Sequence, residues 1–371
     1  MRTDTKQLKQ GAQALKRIAA ALNLRRPVVT LSPATTLGDV LTLTLGDSAT
    51  SAALAISGDN RETLLAVPLA VNLAELIAAL GTVKGSVRLS APDSETLGLA
   101  FDNGDNVTLT RVDNLHSAPE VRGLGGSQPV DLGMFAEVAN VASSDTTRPI
   151  LTALAILECG QTLAATDSYR LRSADLASGN TITGPEGNPA PESLIPAAIV
   201  IAAAKYSAAG QLSLGAGVYR ITAGHSLTIT GRLIDGDFPN FRQLFPQNPE
   251  RVTLDAVELA AVIKRISAAA KAAGQKSDTV PAVLKFGAES GRVIVTGAGV
   301  SGSAAVELGV LAEPLTIGLN PGFFAEIIEH ASGSGQWITL GLIGNLKPVT
   351  VAGGRTLSLL MPVRIGETVT A

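Results

Sequence analysis

Aromatic residues make up only 3% of this 371-residue chain and charged residues only 16%, while hydrophobic residues reach 46%. A core must therefore be built from Ala, Val, Leu and Ile, and the composition excludes a disordered chain. The single cysteine, Cys159, excludes an internal disulfide and a cysteine-based zinc site. The three histidines, His116, His225 and His330, stand 109 and 105 residues apart and give no metal-ligand spacing, so neither metal nor cofactor is expected. The longest apolar run, LIPAAIVIAAA, is shorter than the roughly 20 residues a membrane-spanning helix needs. The polar opening MRTDTKQLKQ does not read as a signal peptide. A soluble protein of a reducing cytoplasm, without a membrane partner, is the expectation. The net charge of −3 argues against a generally basic, nucleic-acid-coating surface, although it leaves room for a local basic face.

What is present repeats. ALKRIAAAL, residues 14–22, matches VIKRISAAA, residues 262–270, and Lys16 and Lys264 differ by 248, twice 124. Asp131 precedes a third such segment and lies 124 residues before Asp255. A third of 371 is about 124 as well. A second shared segment pairs a short apolar strand with a proline near a helix start, a helical apolar pattern and a glycine stop: its prolines are Pro68, Pro196 and Pro321. Between these helices lie alternating stretches such as DVLTLTLG, VYRITAG and RVIVTGAG, which read as antiparallel strands and hairpins. The expectation is an α+β chain of three tandem similar domains, each two helices packed on antiparallel sheet, spanning residues 1–122, 123–249 and 250–371. The glycine-rich VRGLGGSQP and the FPQNPE segment mark the two boundaries.

In the first helix Leu8, Ala12, Leu15, Ala19 and Leu22 share one face, and Lys6, Lys9, Gln13, Lys16 and Arg17 lie on the other, with Arg25 and Arg26 just beyond. Lys264, Arg265, Lys271 and Lys276 sit on or just after the matching helix. Most such lysines are simply solvated. Locally positive helices in a negative chain nevertheless suit a face that meets a polyanion.

Catalytic patterns are weak. Gly297, Gly299 and Gly302 form a literal G-x-G-x-x-G after a strand, but another strand rather than a helix follows, so a hairpin is expected instead of a dinucleotide site. No P-loop, H-E-x-x-H or G-x-S-x-G occurs. In LAATDSYRL, Asp167 and Ser168 have only His225 of the same repeat as a possible base, and it falls in a hairpin, which makes a poor triad. The cluster is open to three readings: a turn, a catalytic pair, or a wall of a binding site.

Taken together, AATDSYRL, GRLIDGDFPNFRQLFP, LLMPVRI and RRPVVTLS resemble, in order and spacing, motifs of the bacterial DNA polymerase sliding clamp, the β subunit of the replicative polymerase. The resemblance spans essentially the whole chain. It implies the DNA clamp fold and a head-to-tail homodimer closed into a ring, with helices lining the hole. Such a ring encircles duplex DNA without regard to sequence, is placed by a clamp loader, and tethers the replicative DNA polymerase and other partners as a non-catalytic processivity factor. The resemblance also implies a peptide-binding cleft between domains 2 and 3, comprising Leu151, Thr166, Ser168, Tyr169, Arg170, Leu171, Pro239, Leu244, Leu359, Met361, Pro362, Val363 and Arg364. Lys9, Lys16, Arg25, Arg26, Lys264 and Arg265 would meet DNA. Ser168, Tyr169 and Val363 depart from the family's glycine, histidine and methionine, and six residues, GETVTA, follow Ile365. A divergent clamp paralogue serving mainly as a protein-docking hub in repair is the alternative.

Overall fold

The computed structural model describes residues 2–33, 39–57, 68–81, 83–113, 123–177, 180–275, 280–287, 291–309, 311–332 and 335–365. His116, Lys276 and the GETVTA tail lie outside them.

Among the described residues one order of elements, strand–helix–three strands, occurs six times. The first set is β1 (Arg2–Asp4), α1 (Thr5–Ala21), β2 (Val28–Pro33), β3 (Asp39–Gly46) and β4 (Thr50–Ser57). The second is β5 (Leu69–Asn72), α2 (Leu73–Leu80), β6 (Ser86–Ser90), β7 (Thr96–Phe101) and β8 (Asn106–Thr110). The third is β9 (Gln128–Asp131), α3 (Leu132–Ala139), β10 (Ala153–Leu157), β11 (Thr162–Thr166) and β12 (Arg170–Asp175). The fourth is β13 (Ser193–Pro196), α4 (Ala197–Ala204), β14 (Ala209–Gly215), β15 (Val218–Ala223) and β16 (Leu227–Arg232). The fifth is β17 (Glu250–Asp255), α5 (Ala256–Ala272), β18 (Ala282–Phe286), β19 (Arg292–Gly297) and β20 (Val300–Leu308). The sixth is β21 (Leu315–Leu319), α6 (Pro321–Ser332), β22 (Trp337–Leu342), β23 (Val349–Gly353) and β24 (Thr356–Leu360).

The helix starts explain the period. Asp4, Asp131 and Asp255 accept backbone N–H bonds at the starts of α1, α3 and α5. Each satisfies donors that the first turn of a helix leaves unpaired. Asn72 and Asn320 do the same for α2 and α6, and Pro196 holds the equivalent place before α4. The positions 72, 196 and 320 are spaced by 124 and 124. Pro68 is a coincidence of sequence: it precedes β5 rather than α2, which is why the three prolines are unevenly spaced.

The chain divides into two compact units, residues 1–139, 156–160 and 181–236 in the first, and residues 140–155, 161–180 and 237–371 in the second. The first contains a four-stranded sheet, β1-β6-β7-β8, and an eight-stranded one, β5-β2-β3-β4-β16-β15-β14-β9. In this unit α1 packs beside α2 and α4, and buries Leu8, Ala12, Leu15, Ile18 and Ala19. Its Gly11 lets the helix backbone approach Leu54 and Ile56 of β4, whose methyl ends stand where a Cβ would be. Tyr219 of β15 is wholly buried and stretches over Gly231 of β16.

In the second unit ten strands are hydrogen-bonded in the order β11-β12-β24-β23-β22-β17-β20-β19-β18-β21. One face of this sheet is covered by α5 and α6, through Leu259, Ile263, Ile266, Phe324, Ile327 and Ile328 packed on Val252, Leu254, Leu340, Val351 and Leu360. Trp337, the one tryptophan of the chain, sits at the start of β22 in register with Asp255. The glycine motif is a two-residue hairpin: Gly297 pairs with Val300, and Ala298 and Gly299 both have positive φ, 49° and 72°. Those angles belong to a tight hairpin turn, not to a phosphate-binding loop followed by a helix.

Candidate functional site

The polar cluster of LAATDSYRL is a hairpin turn between β11 and β12, closed by the pair Thr166–Leu171. Asp167 Oδ1 accepts the backbone N–H of Tyr169 and of Arg170, each at 2.9 Å. The Thr166 hydroxyl donates to the Arg170 carbonyl at 2.7 Å and accepts the Ser168 N–H at 3.1 Å. The Asp167 carboxylate and the Thr166 hydroxyl are thus used in folding the turn. Ser168 has φ +79°, a conformation glycine adopts more easily. The turn holds Tyr169 out into solvent, 62% exposed, with its ring centroid 6.5 Å from that of Phe323.

Arg170 points the other way. It is in register with Leu360, on the helix-covered face, so its guanidinium reaches α6. There it bonds Glu326 at 2.5 Å and Asp167 at 2.9 Å and lies 4.4 Å over the Phe323 ring. Its side chain is only 10% exposed. Arg170 therefore fastens the hairpin to α6, and its charge is already neutralised by two carboxylates.

Leu171 is in register with Leu359, and both face the side of the sheet opposite the helices. Over them lies an apolar cavity of about 240 Å³. Of the thirteen cleft residues expected from sequence, ten line it: Leu151, Thr166, Ser168, Tyr169, Arg170, Leu171, Pro239, Leu244, Leu359 and Met361. Phe241 also lines it; the sequence pattern does not single it out, although it stands inside the DFPNFRQLFP stretch. Pro362, Val363 and Arg364 do not line it. Met361 N–H donates to the Tyr169 carbonyl at 2.9 Å; the chain then leaves the cavity, and Val363 bridges to Gly318 of β21. The floor is buried, with Leu171 and Leu359 each 2% exposed, while Leu244 and Met361 are open at the rim, 45% and 37% exposed. A dry floor with exposed, shape-adapting Met and Leu at the mouth suits an apolar side chain presented by a partner.

Beside the mouth, Arg148 donates to the Ser168 hydroxyl at 3.3 Å and is held by Asp145 at 3.2 Å. The Thr147 hydroxyl and N–H, then Arg148, hold the Asp145 carboxyl below its ordinary range. Nothing in the sequence pattern singles out Asp145, Arg148 or Glu326.

The predicted cations divide. In the first unit Lys16, Arg25 and Arg26 are exposed, and they have no ion-pair partner among the described residues. Lys9 is only half exposed: its ammonium donates to the Gly81 carbonyl and so caps the C-terminus of α2. In the second unit Lys264 lies 3.7 Å from Glu329 of α6, and Arg265 is exposed beside it. Among the described residues no cluster of His, Cys, Asp and Glu could hold a metal ion, and no helix is long and apolar enough to cross a membrane.

No protein-family profile matches the chain. It is 24% identical over 88% of its length to the β sliding clamp homolog GriR of Streptomyces muensis, covering 89% of that protein. It is 26% identical over 68% of its length to the β sliding clamp of Micrococcus luteus, covering 83% of it. Its fold is similar to that of the DNA polymerase III β chain of Streptococcus pneumoniae, with a TM-score of 0.78 at 17% identity over 98% of this chain and 99% of the other. The sliding clamp of Pseudomonas aeruginosa, solved bound to griselimycin, gives a TM-score of 0.77 at 15% identity over 98% and 99%. The hairpin and cavity thus stand on a chain that has the fold of the bacterial β sliding clamp and resembles that family in sequence over most of its length.

Proposed function

We propose that this chain is a DNA sliding clamp, a processivity factor without chemistry of its own. The observation that carries the reading is the co-occurrence of the clamp fold over 98% of the chain with an apolar cavity where the clamp-like motifs meet. The sixfold strand–helix–three-strand order among the described residues and the 124-residue spacing of positions 72, 196 and 320 support three domains, residues 1–122, 123–249 and 250–371. Two chains joined head to tail then make a closed ring, because like domains repeated around an axis leave no end exposed. Lys16, Arg25, Arg26 and Arg265, with Lys9 and Lys264 in lesser part, contact phosphates of duplex DNA, and a clamp loader places the ring in the cytoplasm. Phosphate contacts position a protein without reading bases, so the ring slides. The cavity takes the apolar anchors of a short peptide from the replicative polymerase and other partners, and the tether raises their effective concentration at the primer end.

The test is retention on DNA of two topologies. Loaded onto closed circular plasmid, the protein stays bound through gel filtration and leaves when the plasmid is cut once. Equal retention on circular and linear DNA overturns encirclement. Peptide binding without topological retention favours the docking-hub reading instead.

A further inference from the structure

The same open sheet face carries a second cavity, about 460 Å³, which the peptide reading does not use. Strand register shows how the two are related. Arg251 of β17 pairs with Gly341 of β22, Gly341 with Thr350 of β23, Thr350 with Leu359 of β24, and Leu359 with Leu171 of β12. Directly paired residues share a face, so these five form one row across five strands. Leu171 and Leu359 floor the apolar cavity; Arg251, Gly341 and Thr350 floor the second one. The 3-10 turn Arg242–Leu244 stands at the rim between them: Leu244 and Phe241 line the first, Arg242 and Phe245 the second.

The second cavity differs in chemistry. Arg242 is occupied, bonding Asp175 and the Thr162 hydroxyl at 3.3 Å and lying 5.5 Å from the Phe241 ring centre. Arg251 is exposed, and no carboxylate pairs with it among the described residues. The Thr339 and Thr350 side chains line the same groove. Gly341 keeps the floor open, since a Cβ there would collide with the Thr350 hydroxyl. An arginine with a hydroxyl beside it and an apolar wall is a receptor for a carboxylate carried on a chain.

The geometry points to a second subsite for the same partner peptide, in which Arg251 receives an acidic side chain while the apolar anchor occupies the cavity over Leu171 and Leu359. This inference rests on the peptide-binding reading above. Arg251 and Leu359 are three strands apart, about 14 Å at about 4.8 Å per strand. An extended peptide advances about 3.3 Å per residue, so the acidic residue belongs about four residues from the anchor.

Fluorescence polarisation tests this with labelled peptides that share one glutamine and two large apolar residues. Glu is placed four residues before the anchor in one and four after it in another, and each has a Gln counterpart. One Glu peptide is expected to bind about 5-fold tighter than its Gln counterpart at low salt. That advantage disappears in Arg251→Gln and is partly kept in Arg251→Lys. Glu and Gln peptides of equal affinity in both placements, or an advantage that survives Arg251→Gln, overturns the subsite while leaving the apolar cavity standing. Failure of all four peptides to bind overturns the peptide reading and the subsite together.

Discussion

At the scale of single residues, alternation along a strand decides roles that chemistry alone does not. Leu171 and Arg170 are neighbours in sequence, yet one floors the cavity and the other is tied to α6. The motif DSYRL was legible as a turn and a wall; the direction of Arg170 was not, because it follows from the pairing of β12 with β24, almost two hundred residues away. Met361→Ala is expected to weaken an apolar-anchored peptide by about 1–3 kcal/mol, as truncation of an anchoring side chain does. Peptide titration reads it, and unchanged affinity would remove Met361 from the site. Arg170→Ala should behave differently, lowering stability by about 2 kcal/mol as its charge-assisted bonds to Asp167 and Glu326 disappear. Urea denaturation measures that drop. Ser168→Gly relieves the positive φ and should raise the melting temperature slightly, which calorimetry measures.

At the scale of elements, the caps are the repeat. Sequence pattern placed the amphipathic helices and the glycine hairpin correctly because both are local: periodic apolar residues, then a small polar acceptor or a positive-φ pair. It misaligned Pro68 because a proline is tolerated both at a strand entry and at a helix start. The cap of α5 also responds to pH. Burial pushes the Asp255 carboxyl up, but bonds from the Glu258 N–H, the Gln336 amide and the Val257 N–H, with Arg292 nearby, outweigh it and hold the carboxyl below its ordinary range. A carboxyl lowered in the folded state stabilises above its unfolded value, near 4, and the contribution is lost as pH falls through the folded value. Asp255→Ala should cost about 1 kcal/mol at neutral pH. The gap between the two proteins should shrink in acid, and denaturation curves across the acid range check both points.

At the scale of the whole molecule, net charge and local charge oppose each other. The chain is negative overall, yet Lys16, Arg25, Arg26 and Arg265 are exposed cations without ion-pair partners among the described residues. Replacing these four with Ala should weaken DNA binding of any sequence and flatten its dependence on salt, by roughly 0.9 in logarithmic slope for each phosphate no longer neutralised. An unchanged slope would move the DNA face elsewhere. Light scattering at micromolar concentration should give twice the chain mass, and a monomer there would count against the ring. The period of the repeat was legible because it is written in apolar spacing. The cavity's full membership was not, since the entry of Phe241 and the departure of Pro362, Val363 and Arg364 depend on how distant strands align.

The lone tryptophan gives this architecture an optical asymmetry. Trp337 belongs to the second compact unit, and it is 37% exposed next to the α5 cap. Tryptophan emission therefore reports one half of the chain, while far-ultraviolet dichroism sums the helices of both. In a denaturant titration the emission midpoint should match only part of the dichroism change, because two compact units need not melt together. Coincident curves would instead reveal that the chain unfolds as one cooperative body.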